Sequence, residues 1–290
     1  MAKDTSSCEV ADQTLRISSR NFGHLAEFIT RELGIKMPES KVSMIQSRLL
    51  RRVRALHLES IDEYCEHLFS SGATEERVHF INAVTTNKTD FFREPQHFQY
   101  LTQIALPQLE RSGGDRRISV WSAACSSGEE PYTLAMVLSE YAAGHPGFDF
   151  QVLATDVSTK VLQIAQEGIY SREQIAPIPA ELRRKYLLKS QKGQQPLTRI
   201  TPALRRRVGF HQLNFMDADY CVREMFDVIF CRNLLIYFDR PVQEAVINKL
   251  CRNLAPGGYL FVSHSESLAG LNVPLVSLGS SCFRKLGAEG

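Results

Sequence analysis

The stretch Val120–Leu138, VWSAACSSGEEPYTLAMVL, decides the fold of this 290-residue chain. Its first residues are apolar, its middle is short and polar, and its second half suits a helix, so it predicts a strand that turns into a helix. A dinucleotide site at such a turn needs a G-x-G-x-x-G loop, because backbone amides must approach the pyrophosphate closely. This turn has a single glycine, Gly128, followed by two acids, Glu129 and Glu130.

The two acids indicate a ligand with positive charge, because they would repel a phosphate. S-adenosylmethionine (SAM) carries an ammonium and a sulfonium group and no phosphate. Asp156 supports this interpretation, since it ends the strand-like run FQVLATD, where an acid commonly hydrogen-bonds ribose hydroxyls. Each acid also has an ordinary explanation: Glu129 and Glu130 favour the positive end of a helix, and Asp156 can cap the next helix.

Strands alternate with helices from Arg117 onward. The runs RISVWSAA, FQVLATD, FDVIFC and GYLFVSH predict strands, and a helical pattern follows each of the first three. This alternation predicts an α/β domain with a doubly wound parallel sheet and ligands at the carboxyl ends of its strands. Shorter alternating runs between Lys189 and Gln212 predict a small β insertion.

The first part of the chain has a different character. Before about residue 112, apolar residues recur at the three- and four-residue spacing of helices, and no strand is predicted there. The segment RSGGDRR at 111–117 places two glycines among charges and is the best candidate for a domain boundary.

Composition limits the possible classes of function. The net charge of +2 is too small for a dedicated nucleic-acid binder, which must neutralise many phosphates. The seven cysteines include no C-x-x-C pair, so neither a disulfide framework nor a zinc site is predicted. The N-terminal residues have no apolar run, and no later segment approaches the roughly 18 apolar residues of a membrane span. A cytoplasmic location without membrane insertion is therefore expected.

Four blocks of sequence resemble a known family. They are NKTDFFREPQHF (87–98), VWSAACSSGEEPYTLAM (120–136), FDVIFCRNLLIYFD (226–239) and LAPGGYLFVSHSESL (254–268). In this order and spacing they resemble the chemotaxis receptor methyltransferases, the CheR-type protein-glutamate O-methyltransferases, from about Phe22 to Leu286.

The resemblance implies a domain organisation. It implies an all-α N-terminal domain over 12–86, a cofactor-contacting linker over 87–114 and a Rossmann-like SAM-dependent methyltransferase domain over 115–287. A small antiparallel β subdomain over 189–212 would be inserted in the methyltransferase domain.

The resemblance also implies a reaction and a set of site residues. A methyl group would pass from SAM, leaving S-adenosylhomocysteine, to glutamate side chains of membrane chemoreceptors without a metal. The cofactor positions carried over by motif are Asn87, Thr89, Arg93, Glu129, Asp156, Asn214, Phe215, Arg232 and Asn233.

Catalysis is expected to consist of alignment. A receptor glutamate is already ionised at neutral pH and needs no general base. Arg93 offers a planar fork of donors for a carboxylate, and Tyr237 could place its hydroxyl near the methyl group, so these two are the catalytic candidates. The ordinary alternatives are a surface ion pair of Arg93 with Glu94 and a core-edge packing role for Tyr237.

A basic helix is the candidate docking surface. In KVSMIQSRLLRRVRAL (41–56) the apolar residues share one face of a helical wheel, and the other face is cationic. A solvated face is the ordinary explanation. Because the family's substrate is an acidic coiled-coil region, docking to the cytoplasmic domain of methyl-accepting chemoreceptors is predicted for Arg48, Arg51, Arg52 and Arg54. In some members the β subdomain also binds a receptor C-terminal peptide, and Gly193 would allow a tight turn there. The enzyme would then be recruited from the cytoplasm to membrane receptor arrays.

Two other classes of function are less well supported by the sequence. A nucleic-acid methyltransferase using the basic helix would be expected to carry an N-P-P-Y motif and more positive charge. A regulatory module without turnover would be expected to have damaged motifs, whereas all four blocks are intact.

Several other reactive residue types are given no catalytic role. His97 and His264 lie far apart in sequence and lack clustered acidic or cysteine partners, so no metal site is predicted. Cys125 has no evident base, and packing explains it. His264, Ser265 and Glu266 follow a strand without a G-x-S-x-G elbow and are expected to shape the substrate side of the pocket.

Overall fold

The computed structural model describes residues 16–113, 117–189, 197–279 and 281–287. The chain divides into two compact units between Thr86 and Asn87, so residues 87–113 belong with the second unit. Residues 114–116 of RSGGDRR, the predicted boundary, and Gly193 lie outside the described residues.

The first unit is built from helices. They are α1 (Ser19–Leu33), α2 (Val42–Ala55), α3 (Ile61–Phe69) and α4 (Thr74–Val84), with a 3₁₀ turn at Glu39–Lys41. Ser18 begins α1 by accepting a hydrogen bond from the amide of Asn21, and Gly34 ends it at a φ of 68°. On α2 the residues Ile45, Leu49 and Val53 are fully or almost fully buried, as the helical wheel predicted.

The second unit contains a mixed sheet. Its described strands are β1 (Ile118–Ala123), β2 (Phe150–Asp156), β6 (Val208–Gln212), β7 (Phe226–Cys231), β8 (Leu254–Phe261), β9 (Leu275–Gly279) and β10 (Cys282–Lys285). They lie in the order β6-β2-β1-β7-β8-β10-β9. The first five run parallel, and β10 is antiparallel to both of its neighbours. The strand order reverses between β1 and β7, and open α/β sheets bind ligands beyond the carboxyl ends at such a point.

Helices surround this sheet. They are α5 (Pro95–Tyr100), α6 (Leu106–Gly113), α7 (Glu129–Gly144), α8 (Thr159–Glu167), α9 (Ala180–Tyr186), α10 (Pro202–Arg205) and α11 (Arg240–Asn253), with a π-helical stretch at Leu101–Ala105 and a 3₁₀ turn at Leu235–Tyr237. The α/β fold class with an all-α N-terminal part is therefore confirmed. In the described ranges, every helix falls short of the length and apolar character that a membrane span requires.

The small β insertion exists, but with different bounds from those predicted. It is a three-stranded antiparallel sheet in the order β3 (Ile169–Tyr170), β5 (Thr198–Ile200) and β4 (Leu187–Lys189). Val208–Gln212, which the prediction placed inside the insertion, pairs in parallel with β2 in the main sheet. The insertion also begins earlier than predicted, because strands of two or three residues are too short to leave an alternating pattern.

The segment before β1 belongs to the core of the second unit. Phe91 and Phe98 are 1% and 5% exposed. The Phe98 ring stacks on Phe230 of β7, and Phe230 stacks on Phe261 of β8, with centroids 5.7 and 4.5 Å apart. The linker block therefore contributes apolar side chains to the sheet that forms the candidate site.

Candidate cofactor and active site

The turn after β1 lies at the point where the strand order reverses. Three of its residues adopt positive φ: Ala124 at 65°, Ser126 at 50° and Gly128 at 97°. A Cβ atom at Gly128 would lie 2.8 Å from both the Ala165 Cβ and the Tyr170 hydroxyl, so this position requires glycine. The single glycine of the turn is thus explained by a close approach within the protein.

Asp156 organises this turn from the end of β2. Its side chain is buried, and its two oxygens accept hydrogen bonds of 2.9 Å from the amides of Ser126 and Ser158. Burial raises the pKa of the carboxyl, while these backbone hydrogen bonds act in the opposite direction. Ser158, rather than Asp156, caps α8 by accepting from the amide of Val161. A carboxylate has about four acceptor sites, so Asp156 retains capacity for ribose hydroxyls.

The two glutamates that open α7 have different partners. Glu129 is buried and accepts from Ser127 Oγ at 2.7 Å and Gln174 Nε2 at 3.3 Å. Glu130 accepts from Ser122 Oγ at 2.7 Å, and its Oε2 lies 3.6 Å from Arg232 Nε. Burial raises the pKa of both carboxyls. Both are therefore built into the protein, and neither is a solvent-facing charge that merely favours a helix end.

Arg232 connects the loop after β7 to the linker. The residue is 5% exposed, and its Nη2 donates to the carbonyl of Arg93 at 2.6 Å. Its Nε lies 3.8 Å from Glu94 Oε2, so one cation stands between the carboxylates of Glu94 and Glu130. The side chain thus fixes the backbone at Arg93, and its direct contact with the cofactor stays a prediction.

Arg93 itself lies in an unusual backbone segment. Its neighbours Phe92 and Glu94 both have positive φ, at 55° and 54°, which costs about 1–3 kcal/mol per residue. The amide of Phe92 donates to Thr133 Oγ1 at 3.2 Å, and the Arg93 guanidinium donates to the carbonyl of Lys88 at 3.3 Å. Strained backbone that is held by its surroundings is common at functional sites, so this strain supports a functional role for the segment that carries Arg93.

The ordinary alternative for Arg93 was a surface ion pair with Glu94, but the carboxylate of Glu94 is engaged by other residues. Its carboxylate accepts from Ser263 Oγ at 2.6 Å and from the amide of His264 at 3.3 Å. Burial alone would raise the pKa of Glu94, but the hydrogen bond from Ser263 and the charge of Arg232 lower it below its ordinary value. Glu94 is therefore a charged group inside the second unit.

Glu266 holds the loop that carries Asn233 and Tyr237. It is 7% exposed and accepts from the amides of Ser263, Asn233 and Leu235 at 2.7, 3.0 and 2.7 Å. Burial raises the pKa of this carboxyl, and the three amides counteract the shift. Asn233 has a φ of 58°, so this acid stabilises a left-handed backbone next to the half-buried Tyr237. The sequence predicts Glu266 on the substrate side of the pocket but not this role, for which the available signal was an acid a few residues after a strand.

The remaining predicted cofactor residues lie around the same end of the sheet. The carbonyl of Asn87 accepts from Ser126 Oγ at 2.9 Å, which joins the start of the second unit to the turn. The amide of Leu213 donates to the carbonyl of Asp156 at 3.0 Å, so Asn214 and Phe215 follow directly on the end of β2. Thr89, two residues after Asn87, is half-buried. The cofactor contacts of these residues stay predictions.

His97 and His264 are neighbours in space. Their rings lie 4.7 Å apart, and Glu94 Oε2 is 3.5 Å from His97 Nδ1. The three residues offer ligand atoms within 4.8 Å of one another, which corrects the argument that the histidines are far apart and lack an acidic partner. A metal ion here would stand beside the positive charge of Arg232, 3.8 Å from the same carboxylate.

Burial raises the pKa of the Cys125 thiol well above its ordinary value, in agreement with a packing role.

The four predicted docking arginines divide into two pairs. Arg48 donates to the carbonyls of Val84 and Thr85, which end α4. Arg52 forms a two-point ion pair with Glu76, with Nε–Oε1 and Nη2–Oε2 distances of 2.9 and 2.6 Å. Both side chains thus have partners inside the helical unit. The exposed members are Arg51 and Arg54, and these two keep the predicted docking role.

Fold and site together define a class of protein. The strand order reverses at a turn that has one glycine, the buried Glu129 and the partly buried Glu130, and a second buried acid, Asp156, ends β2. This is the arrangement of a Rossmann-like, SAM-binding methyltransferase. Two family models match, described as "CheR methyltransferase, SAM binding domain" over residues 87–281 and "CheR methyltransferase, all-alpha domain" over residues 20–85. The chain belongs to the CheR methyltransferase family.

Curated relatives agree over nearly the whole chain. "Chemotaxis protein methyltransferase 2" of Pseudomonas aeruginosa is 36% identical over 283 residues, which cover 98% of this chain and 99% of that protein. "Chemotaxis protein methyltransferase" of Escherichia coli K12 is 37% identical over 271 residues, covering 93% and 92%. A solved structure, the glycopeptide N-methyltransferase MtfA complexed with SAM, is 18% identical to this chain and has a TM-score of 0.32. The match covers 64% of this chain and 66% of that chain.

Proposed function

We propose that this protein transfers the methyl group of SAM to glutamate side chains of membrane chemoreceptors, forming γ-methyl esters for chemotactic adaptation. The observation that carries the proposal is the turn at the reversal of strand order, which has one glycine, the buried Glu129 and the partly buried Glu130, in a chain whose relatives are named chemotaxis protein methyltransferases. A turn of this chemistry favours a cationic nucleoside over a pyrophosphate.

The residues of the second unit fit SAM. Asp156 has acceptor capacity for ribose hydroxyls, and Glu129 places a buried carboxylate where an ammonium group would be neutralised. Asn87, Thr89, Arg93, Asn214, Phe215, Arg232 and Asn233 complete the proposed cofactor set. When bound, SAM supplies a methyl group on a positively charged sulfur, and no metal is required for its transfer.

The chain's own contribution is positioning. A glutamate side chain with an ordinary pKa near 4.3 is ionised at neutral pH, so no residue is needed to remove a proton. Arg93 binds a carboxylate, and the Tyr237 hydroxyl orients the reacting groups. Alignment of this kind supplies about 7–11 kcal/mol in favourable cases.

Partner recognition is assigned to both units. Arg51 and Arg54 on α2 form a cationic surface that suits an acidic receptor coiled coil. In the small sheet, β4 is an edge strand and Leu188 is 50% exposed, which suits a second contact with a receptor C-terminal peptide. These contacts would bring a cytoplasmic enzyme to membrane receptor arrays.

Labelled SAM distinguishes this proposal from nucleic-acid methylation. The protein is incubated either with receptor-rich membranes or with total RNA, and the product is then treated with mild base. A glutamate methyl ester loses its label in mild base, so we expect base-labile label on membrane protein. Base-stable label on RNA, with none on receptor, would refute the proposed substrate.

A further inference from the structure

The candidate site is assembled from two separate segments of the second unit. One precedes α5 and carries Arg93, and the other follows β7 and carries Asn233 and Tyr237. Ser263, two residues after the end of β8 at Phe261, is 1% exposed and contacts both segments.

The hydroxyl of Ser263 has its hydrogen-bond roles fixed by its partners. It donates to Glu94 Oε1 at 2.6 Å and accepts from Asn233 Nδ2 at 2.8 Å, and Ser265 Oγ lies 3.3 Å from it. A carboxylate with a lowered pKa is an acceptor, and an amide nitrogen is a donor, so the single hydroxyl proton points to Glu94. The result is a continuous chain of hydrogen bonds from Asn233 through Ser263 to the residue after Arg93.

Ser263 is also fixed through its backbone. Its amide donates to Glu266 Oε2 at 2.7 Å, and the same oxygen accepts from the amide of Asn233 at 3.0 Å. The other oxygen of Glu266 accepts from Leu235 at 2.7 Å. The buried carboxylate of Glu266 therefore holds the main chain of Ser263 and that of its partner Asn233. As a result, the Ser263 hydroxyl has little freedom to follow a movement of either segment.

We propose that Ser263 is a positioning residue, whose hydroxyl sets the placement of Arg93 relative to Asn233 and Tyr237 and thereby the alignment for methyl transfer. The inference rests on the proposed function for its kinetic consequence, since it treats Arg93 and Tyr237 as the groups that orient the reactants. In this role Ser263 acts through Glu94 and Asn233 and not on the reactants themselves.

The kinetic test uses Ser263→Ala, which removes the hydroxyl without adding volume. We expect kcat for receptor methylation to fall about tenfold, because small misplacements of aligned groups lower rates strongly. The KM values for SAM and receptor should stay within about twofold, since the hydroxyl serves placement and not affinity. Ser267→Ala is the matched control, because Ser267 is exposed and its hydroxyl contacts only the amide of Ala269 among the described residues, so it should match the wild-type protein. A Ser263→Ala kcat within twofold of wild type would overturn the inference.

Hydrogen–deuterium exchange of the full chain tests the link without any substrate. We expect faster exchange in Ser263→Ala for peptides covering residues 88–94 and 232–238, and no change in peptides of α2. Unchanged exchange in either of the two segments would overturn the inference. If the wild-type protein methylates no receptor, the proposed substrate fails, while the exchange result still decides whether Ser263 joins the two segments.

Discussion

Replacing Arg52 by alanine tests whether this arginine stabilises the helical unit or faces a partner. In the native structure its guanidinium forms two hydrogen bonds to Glu76, which also accepts from the Tyr64 hydroxyl at 2.7 Å. Arg52→Ala leaves this carboxylate with the tyrosine alone. Arg51→Ala is the matched control, because Arg51 precedes Arg52 on α2 and is exposed.

The magnitude follows from the burial of the two partners. Removing one member of a buried ion pair costs about 3–5 kcal/mol, mainly because the other charge remains buried. The Arg52 side chain is 22% exposed, but the residue left behind, Glu76, is only 5% exposed. We therefore expect the free energy of unfolding of the helical unit to fall by about 3 kcal/mol in Arg52→Ala. An exposed substitution such as Arg51→Ala should change it by less than about 0.5 kcal/mol.

Native-state hydrogen exchange measures this effect in the full chain. The slowest amides of α2, α3 and α4 report the opening free energy of the helical unit. Similar small losses in Arg52→Ala and Arg51→Ala would refute the reasoning and return Arg52 to the docking surface.

Acidification provides a second measurement of the same ion pair. Burial alone would raise the pKa of Glu76, but the hydrogen bonds from Arg52 and Tyr64 lower it below its ordinary value. The stabilisation is therefore complete above about pH 4.3, the pKa of an ordinary glutamate. It is lost as the pH falls through the lower pKa that Glu76 has in the folded protein. Arg52→Ala should lose less stability over that range than the wild-type protein does.

Three further predictions concern the proposed activity. Asp156→Asn should weaken binding of SAM and of S-adenosylhomocysteine by about 1.5–3 kcal/mol in calorimetry, because charge-assisted hydrogen bonds to ribose are lost. The rate of methyl transfer in single-turnover experiments should be nearly constant from about pH 6.5 to 8.5, because the attacking carboxylate is already ionised. In the same assay Arg93→Ala should lower the rate far more than His264→Gln. Arg51→Glu combined with Arg54→Glu should reduce receptor methylation without changing cofactor affinity, and added salt should mimic the defect, since exposed charges are screened over about 8–10 Å.

Each of these predictions has a contradicting result. Unchanged calorimetry in Asp156→Asn would move the ribose site elsewhere. A rate that falls steeply below a pKa near 6.5, and loses that dependence in His264→Gln, would require a general base. Salt-independent methylation with a fully active Arg51→Glu/Arg54→Glu variant would leave the exposed face of α2 as solvated surface.

The sequence predicted the elements that have strong local patterns. Long apolar runs such as FDVIFC marked the buried parallel strands, and the wheel of α2 identified its buried face. β6 was placed in the wrong sheet, because its parallel pairing with β2 depends on a partner more than 50 residues away.

The contacts of charged side chains were the least predictable part of the site. Arg232 and Glu94 lie in separate blocks of the sequence, and no spacing rule links residues so far apart on the chain. The same holds for Glu266, whose three hydrogen bonds from backbone amides arise only after the ends of β7 and β8 are adjacent. Local sequence patterns identify the segments that form such a site, but tertiary packing decides which face of each segment is used.

The packing of residues 87–113 against the sheet has a practical consequence for dissecting the protein. A truncation that begins at Asn87 keeps the hydrogen bond from Ser126 and the buried rings of Phe91 and Phe98. A truncation that removes this segment would remove the Phe98 ring that packs on Phe230. It would also leave the Arg232 guanidinium without the carbonyl of Arg93 and the carboxylate of Glu94. Such a fragment would expose apolar surface and would be expected to aggregate, so a truncation that isolates the second unit should begin at Asn87.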